Sequence, residues 1–113
     1  MMTIFERVNT ALAAIAPPTP FAMDTYLGAL PDQYLVYSLI VSGPQQHADD
    51  VEKERTHRIQ VSIYDRAGLV ALPDVDTPML AAGFIFSSQR QLPKDPDTGH
   101  YGLVKEYVFL EDL

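Results

Sequence analysis

The stretch QYLVYSLIVS, residues 33–42, decides the fold. β-branched and aromatic residues dominate it, which is typical of a β-strand. Alternate side chains of a strand point to opposite faces, so one face here carries Leu35, Tyr37, Leu39 and Val41, and the other carries Tyr34, Val36, Ser38 and Ile40. Both faces are largely apolar. Such a strand lies between two layers of one domain or against a partner chain.

Three more strands are predicted around it, at residues 55–65, 84–93 and 100–111, with a short extended piece near 21–23. The first of them alternates cleanly: Ile59, Val61 and Ile63 point one way, and Arg58, Gln60, Ser62 and Tyr64 the other. The polar segment 43–54 between the first two strands is interpreted as a mobile loop or as the tip of a long hairpin.

Two helical segments complete the pattern. Thr3 and Glu6 have the spacing of a capping box, and apolar residues recur at helical spacing up to Ile15, so a helix is predicted over 4–15 before Pro17 and Pro18. Segment 66–82 has the composition of a short second helix, but Pro73 and Pro78 interrupt it. We expect short helical turns there, with Asp76 or Thr77 as the cap and Gly83 at the end.

The pattern therefore predicts a single α+β domain over 1–113, with a Pro-rich link at 16–32. Its sheet is mainly antiparallel, with four to five strands, and both helical segments cover one face.

Composition narrows the possible functions. The 113 residues suffice for one domain, and the absence of cysteine excludes disulfides and thiolate metal sites. The net charge is −7 and the eight lysines and arginines are scattered, which disfavours tight phosphate binding. No apolar run approaches the roughly 20 residues of a membrane span. The first residues read as the helix of a mature cytoplasmic protein, since they lack the pattern of a secretory signal.

Two stretches carry a resemblance to a known family. RIQVSIYDRAGLVAL (58–72) and DPDTGHYGLVKEYVFL (95–110), in this order of elements, resemble the tail-terminator and tail-completion proteins of long-tailed bacteriophages and prophages. The family's second helix is commonly longer and unbroken, and the chain departs from it at Pro73 and Pro78.

The resemblance implies a structural virion protein of the tail or neck, assembled from the host cytoplasm. It would form a ring, usually a hexamer, that caps the tail tube and joins it to the head connector or stopper. DNA would pass through the lumen without tight binding. The resemblance implies no catalytic residue and no cofactor.

Residues 94–99 allow two interpretations. Asp95, Asp97 and Gly99 alternate as in the first half of a calcium loop, and Glu106 falls on its twelfth position, but Gly99 falls at position five rather than six, and Tyr101 and Leu103 occupy positions seven and nine. Pro, Asp, Thr and Gly are also ordinary turn residues. A turn with Gly99 at positive φ is the favoured interpretation, and no metal site is predicted.

Reactive groups show no catalytic spacing. His47, His57 and His100 are far apart in sequence, so a metal site would need the fold to gather them. The candidate nucleophiles lie in or beside strands and lack a Gly-flanked elbow: Ser38, Ser42, Ser62, Ser87 and Ser88. No enzyme activity and no metal or cofactor are therefore expected, although a small enzyme or ligand-binding domain remains an alternative, as does another neck protein.

The remaining candidates concern contacts with partners. The acidic segment is either a solvated loop or a surface facing the lumen or the adjoining assembly. Tyr34, Val36 and Ile40, with Val104, Val108 and Leu110, are covered either by the helices and the link or by neighbouring subunits. The candidate interface residues are His47, Asp49, Asp50, Glu52, Glu54, Tyr34, Tyr37, Asp95, Asp97, His100 and Tyr101.

Overall fold

A computed structural model describes residues 2–48 and 51–112 of the protein, without the side chains of 44–48, 51–54 and 112. Helices and strands follow one another along the chain in the predicted order. The elements are α1 (Ile4–Ala13), β1 (Phe21–Met23), β2 (Gln33–Ala48), β3 (Val51–Asp65), α2 (Asp76–Ala81), β4 (Ile85–Leu92) and β5 (Tyr101–Asp112).

The strands form one five-stranded sheet in the order β1-β2-β3-β5-β4. The pairs β2–β3, β3–β5 and β4–β5 are antiparallel, whereas the short β1 pairs parallel to β2. The predicted α+β class with a mainly antiparallel sheet is confirmed. The predicted extended piece at 21–23 is β1, one of the two edge strands of the sheet.

Helix α1 covers one face of the sheet. Its capping box forms as predicted: the Thr3 hydroxyl accepts from the Glu6 amide, and the Glu6 carboxylate accepts from the Thr3 amide. The helix ends at Ala13, earlier than the predicted residue 15, because the prolines that follow cannot continue a helical backbone. Ile15 is still buried under the sheet.

The core lies between this face and the two helices. β2 and β3 supply its floor through paired residues, Leu35 with Ile63 and Tyr37 with Val61. The helices and β5 supply the remaining contacts: Val8, Leu12, Met79 and Tyr107. Fully burying one such aliphatic side chain contributes about 1.5–3 kcal/mol relative to leaving it exposed, so this face holds the monomer together.

A β-bulge changes the predicted faces of β2. Leu39 pairs with Ile59 and Val41 pairs with Arg58, so Ile40 is an extra residue between them. An extra residue shifts the alternation by one position. The prediction that Val41 shares a face with Leu35 and Tyr37 is therefore wrong: Val41 lies beside Arg58 on the opposite face.

Segment 66–82 is less helical than predicted, because only Asp76–Ala81 forms a helix. Val75, and not Asp76 or Thr77, is the N-cap residue, and it offers no side-chain hydrogen bond; the Asp74 carboxylate before it accepts from the Thr77 amide at 3.1 Å instead. Gly83 follows the helix with φ of 96°, in keeping with the predicted end.

The segment that follows residue 42 continues as paired strands. β2 pairs with β3 as far as Ala48 with Val51, which agrees with the long-hairpin interpretation and not with the loop. β5 accompanies β3 up to Glu54, while β4 begins only opposite Val108. The sheet therefore narrows toward the hairpin end, and the molecule measures 52 × 26 × 25 Å.

Candidate functional site

The face of the sheet opposite the helices, called the open face below, has no covering layer of secondary structure among the described residues. Its side chains form rows across the strands, because paired residues share a face. In the order β2, β3, β5, β4 the rows are Tyr34–Tyr64–Gly102–Leu92, Val36–Ser62–Val104–Arg90, Ser38–Gln60–Glu106–Ser88 and Val41–Arg58–Val108–Ile85.

Polar side chains occupy the middle of the open face. Two arginines share one carboxylate there: Arg58 and Arg90 each place a guanidinium nitrogen near Glu106, at 3.6 and 3.5 Å. Ser88 also donates to this carboxylate at 3.3 Å, and Arg58 donates to the Ser87 hydroxyl at 3.1 Å. The long side chains of this group shield the strand beneath them, which explains why Val104 is only 1% exposed.

Apolar side chains remain exposed on the side of this group nearest the hairpin. Val41 and Ile85 are 54% and 56% exposed at opposite edges of one row, and Leu110 is 45% exposed in the next row. We call Val41, Val108, Leu110 and Ile85 the apolar band. Arg58 separates Val41 from Val108 in this row, so the continuous part of the band is Val108, Ile85 and Leu110. Monomers expose single apolar residues routinely, whereas several on one face favour an interaction surface.

The other end of the open face is closed by aromatic rings. The Tyr34 ring stacks on Tyr64 with centroids 4.9 Å apart, while Tyr26 and His100 pack against it at 5.2 and 5.1 Å. Burial, and then the neighbouring Tyr64, raise the pKa of Tyr34. The chain itself therefore covers Tyr34, one of the predicted interface residues.

His100 is held by the link before β2. One ring nitrogen, Nε2, lies 2.8 Å from the Pro31 carbonyl oxygen and therefore carries the proton, while Nδ1 is buried and has no hydrogen-bond partner among the residues that the structure describes. The ring is 2% exposed, so this predicted interface residue has no side-chain surface for a partner.

Tyr37 belongs to the core rather than to the surface. It is 2% exposed, and its hydroxyl donates to the Asn9 side chain of α1 at 2.7 Å. Burial raises its pKa. Its predicted contact with a partner is not available in this fold, because Tyr37 lies on the face that the helices cover.

The turn after β4 is organised by Asp95. Its carboxylate accepts from the amides of Asp97 and Thr98, and its carbonyl oxygen accepts from the Gly99 amide at 2.8 Å. Gly99 has φ of 80°, as predicted. Asp95 thus serves the turn, while the exposed Asp97 and the half-buried Tyr101 remain candidate contacts.

The acidic candidates lie at the hairpin end. His47 pairs with Glu52 along the backbone, and Glu54 pairs with Gln46, but their side chains are outside the described part of the structure. Asp49 and Asp50 lie wholly outside the described residues.

The fold gathers one reactive set that the sequence did not reveal. The Ser42 hydroxyl lies 2.6 Å from Nδ1 of His57, and Nε2 of His57 lies 3.3 Å from the Glu111 carboxylate. The three residues come from three neighbouring strands and are far apart in sequence, so no sequence motif could have predicted the group. A hydrolytic triad has the acid on Nδ1 and the nucleophile on Nε2, and here the two nitrogens are exchanged.

The described side chains do not form a metal site, and the side chain of His47 lies outside them. Within residues 2–48 and 51–112, no group of three or more His, Asp or Glu side chains is placed to hold a metal ion. His57 and His100 instead have the separate partners given above. No helix within these ranges is both long enough and apolar enough to cross a bilayer.

No protein-family model matches the chain, and no curated protein matches it either.

Proposed function

We propose that this protein is a structural assembly protein that completes the tail of a long-tailed phage, forming a ring at the head-proximal end of the tail tube. The observation that carries the proposal is the apolar band on a sheet face that no helix or strand of the described residues covers. The opposite face already holds the core, so the monomer folds without the band, and the band remains free to contact other subunits.

A ring follows if the contacts join different surfaces of successive copies, since head-to-tail contacts close into rings when their rotation permits. One end of the ring would dock on the last ring of tube subunits. The other end would differ from it, so no further tube ring could add, and the head connector or stopper would bind instead. The net charge of −7 supports passage of DNA without tight binding.

The test uses the full chain and isolated tail tubes, observed by negative-stain electron microscopy. Rings that cap one end of each tube would support the proposal. Val41→Glu should reduce capping at least tenfold, because a carboxylate cannot be buried in an apolar contact. The control is Val70→Glu, at a site that is 92% exposed and distant in sequence from the band. Tube ends left bare by the wild-type protein would reject the tail function.

One arrangement favours a second class of function. Ser42, His57 and Glu111 together suit a weak acyl-transfer site, because the imidazole can accept the hydroxyl proton of the serine. A fluorophosphonate probe tests this directly. Labelling that is lost in Ser42→Ala would favour the enzyme, and an unlabelled protein would leave the assembly role as the better explanation of the chain.

A further inference from the structure

The sheet ends in two edges that are only partly protected. β4 forms one edge, and its side chains are exposed from Ile85 to Gln91 on both faces. β1 covers the other edge only beside residues 35–37 of β2, so the later part of β2 has no strand on that side. A free edge offers unpaired backbone donors and acceptors to another strand.

Each edge has a short regular stretch that β1 does not cover. On β2 it is 41–43, because the bulge lies at Ile40 and Pro44 has no amide hydrogen to donate. On β4, a bulge between Phe86 and Ser88 leaves 88–92 as the regular stretch. β4 contains neither lysine nor proline, two of the residues that protect an edge, although it does carry Arg90 and the bulge.

The strand directions also match. Two antiparallel steps lead from β2 to β5, and one more leads to β4, so β4 runs opposite to β2. A second copy placed beside the first in the same orientation would therefore meet β2 with an antiparallel β4. The chain supplies both halves of this contact, which is why a second copy is the occupant that fits.

We propose that β4 of one copy pairs with the free stretch of β2 in the next copy, with Arg90 opposite Val41 and Ser88 opposite Gly43. This register keeps side chains of the open face together: Arg90, Ser88, Val41 and Gly43 all belong to rows of that face. A slip by one residue would place open-face side chains beside helix-face ones. The inference rests on the self-assembly part of the proposed function and names the surfaces that join.

Cysteine cross-linking tests the register, since the natural chain contains no cysteine. Residues directly opposite in an antiparallel pair have Cα atoms about 4.5–5.5 Å apart, within the range of a disulfide. The double variant Val41→Cys, Arg90→Cys should give a series of covalent multimers after mild oxidation. The matched control is Val41→Cys, Gln89→Cys, which moves one thiol to the other face and should give at least fivefold less product. Each single variant should stop at dimers.

The samples are the protein alone, up to millimolar concentration, and the protein on tube ends. The inference would be overturned if the two double variants gave equal yields of covalent multimers. It would also be overturned if Val41→Cys, Arg90→Cys formed no multimers, either alone or on tube ends. Tube capping without the Val41–Arg90 link would reject this pairing and leave the tail function standing. Specific cross-linking by a protein that never caps tubes would keep the pairing and reject the tail function.

Discussion

Tyr107 links the sheet to α2 through a single hydroxyl. The ring is fully buried, and the hydroxyl donates to the carboxylate of Asp76, which also accepts from Lys105 at 3.0 Å. Burial, followed by the hydrogen bond to Asp76, raises the pKa of Tyr107 well above its usual range. One carboxylate at the start of a short helix thus receives two donors from β5, and this fixes a helix too short to be stable alone.

Tyr107→Phe should destabilise the protein by about 1–3 kcal/mol, because Asp76 loses a donor while the ring volume is kept. Chemical denaturation at neutral pH measures this loss, with Tyr26→Phe as the control near the surface. A raised tyrosine pKa contributes stability that is complete below about pH 10 and is lost as the pH rises toward the folded pKa. The wild-type protein should therefore lose stability above pH 10 more steeply than Tyr107→Phe. Parallel slopes would contradict this.

Asp74 should also stabilise the fold at neutral pH, but with the opposite pH dependence, since its contribution is lost at low pH. Hydrogen bonds from the Thr77 side chain and amide lower the pKa of Asp74. A lowered carboxyl pKa stabilises the fold above the unfolded value near 3.9, and this contribution is lost as the pH falls through the folded pKa. Asp74→Ala should lower the melting temperature at pH 7, and the gap to the wild-type protein should shrink below about pH 4.

The control for this prediction is Asp74→Asn. Its amide oxygen can still accept from the Thr77 amide but does not titrate, so the variant should keep part of the cap at every pH. A gap between wild type and Asp74→Ala that stays constant from pH 7 to pH 3 would show that the carboxylate charge does not matter.

The sequence predicts the conformation and contacts of some single residues and not of others. Gly99 was predictable because turn chemistry is local, and the Thr3–Glu6 box was predictable for the same reason. The triplet of Ser42, His57 and Glu111 was not, since its members meet only through strand register. Tyr34 could be recognised as an aromatic strand residue, but the residues around it in the sequence did not predict that Tyr26 and His100 would cover it.

At the scale of elements, apolar periodicity and β-branched composition located α1 and the four long strands, whereas composition indicated α2 only as helical turns within 66–82. The boundaries moved where local chemistry gave no signal. The hairpin strands extend beyond their predicted ends because pairing between them outweighs the polar composition of 43–54. The bulge at Ile40 had no local marker such as glycine, and it turned Val41 toward the open face. The apolar band was therefore only half visible in the sequence.

The turn between β4 and β5 offers a test at this scale. Gly99→Ala should destabilise the protein by about 1–2 kcal/mol, the cost of placing a side chain in the left-handed region. No atom lies within 4 Å of an added Cβ, so this cost is one of backbone conformation alone. Gly99→Asn should cost less, because asparagine tolerates this conformation better. Equal losses in denaturant titrations would mean that a contact, and not φ, sets the penalty.

In the molecule as a whole, the helices cover one face of the sheet, and no helix or strand of the described residues covers the other face. The helices complete the first, which accounts for the buried rows of β2 and β3. On the second, arginines and a carboxylate shield the centre and aromatic rings close one end, so the chain hides more of its strand surface than the sequence alone suggested. Val104 and Tyr34 are buried within one copy, while Leu110, Ile85 and Val41 are not.

The charge of the whole molecule gives a prediction that separates apolar contacts from ionic ones. Each copy carries −7, so copies that approach through the apolar band and the strand edges repel one another over long distances. Salt screens this repulsion within about 10 Å at 0.1 M, and it leaves apolar burial and backbone hydrogen bonds largely intact. Self-association should therefore strengthen about fivefold between low salt and 0.5 M sodium chloride in sedimentation velocity.

Val41→Glu is the matched comparison, because it adds a charge inside the proposed contact and should keep the protein monomeric at either salt concentration. Val70→Glu adds the same charge at a highly exposed site and should behave like the wild-type protein. If association instead weakens as salt is added, attraction between unlike charges holds the copies together. Arg58 and Arg90, beside Glu106, would then form the contact between copies, and the apolar band would not take part in it.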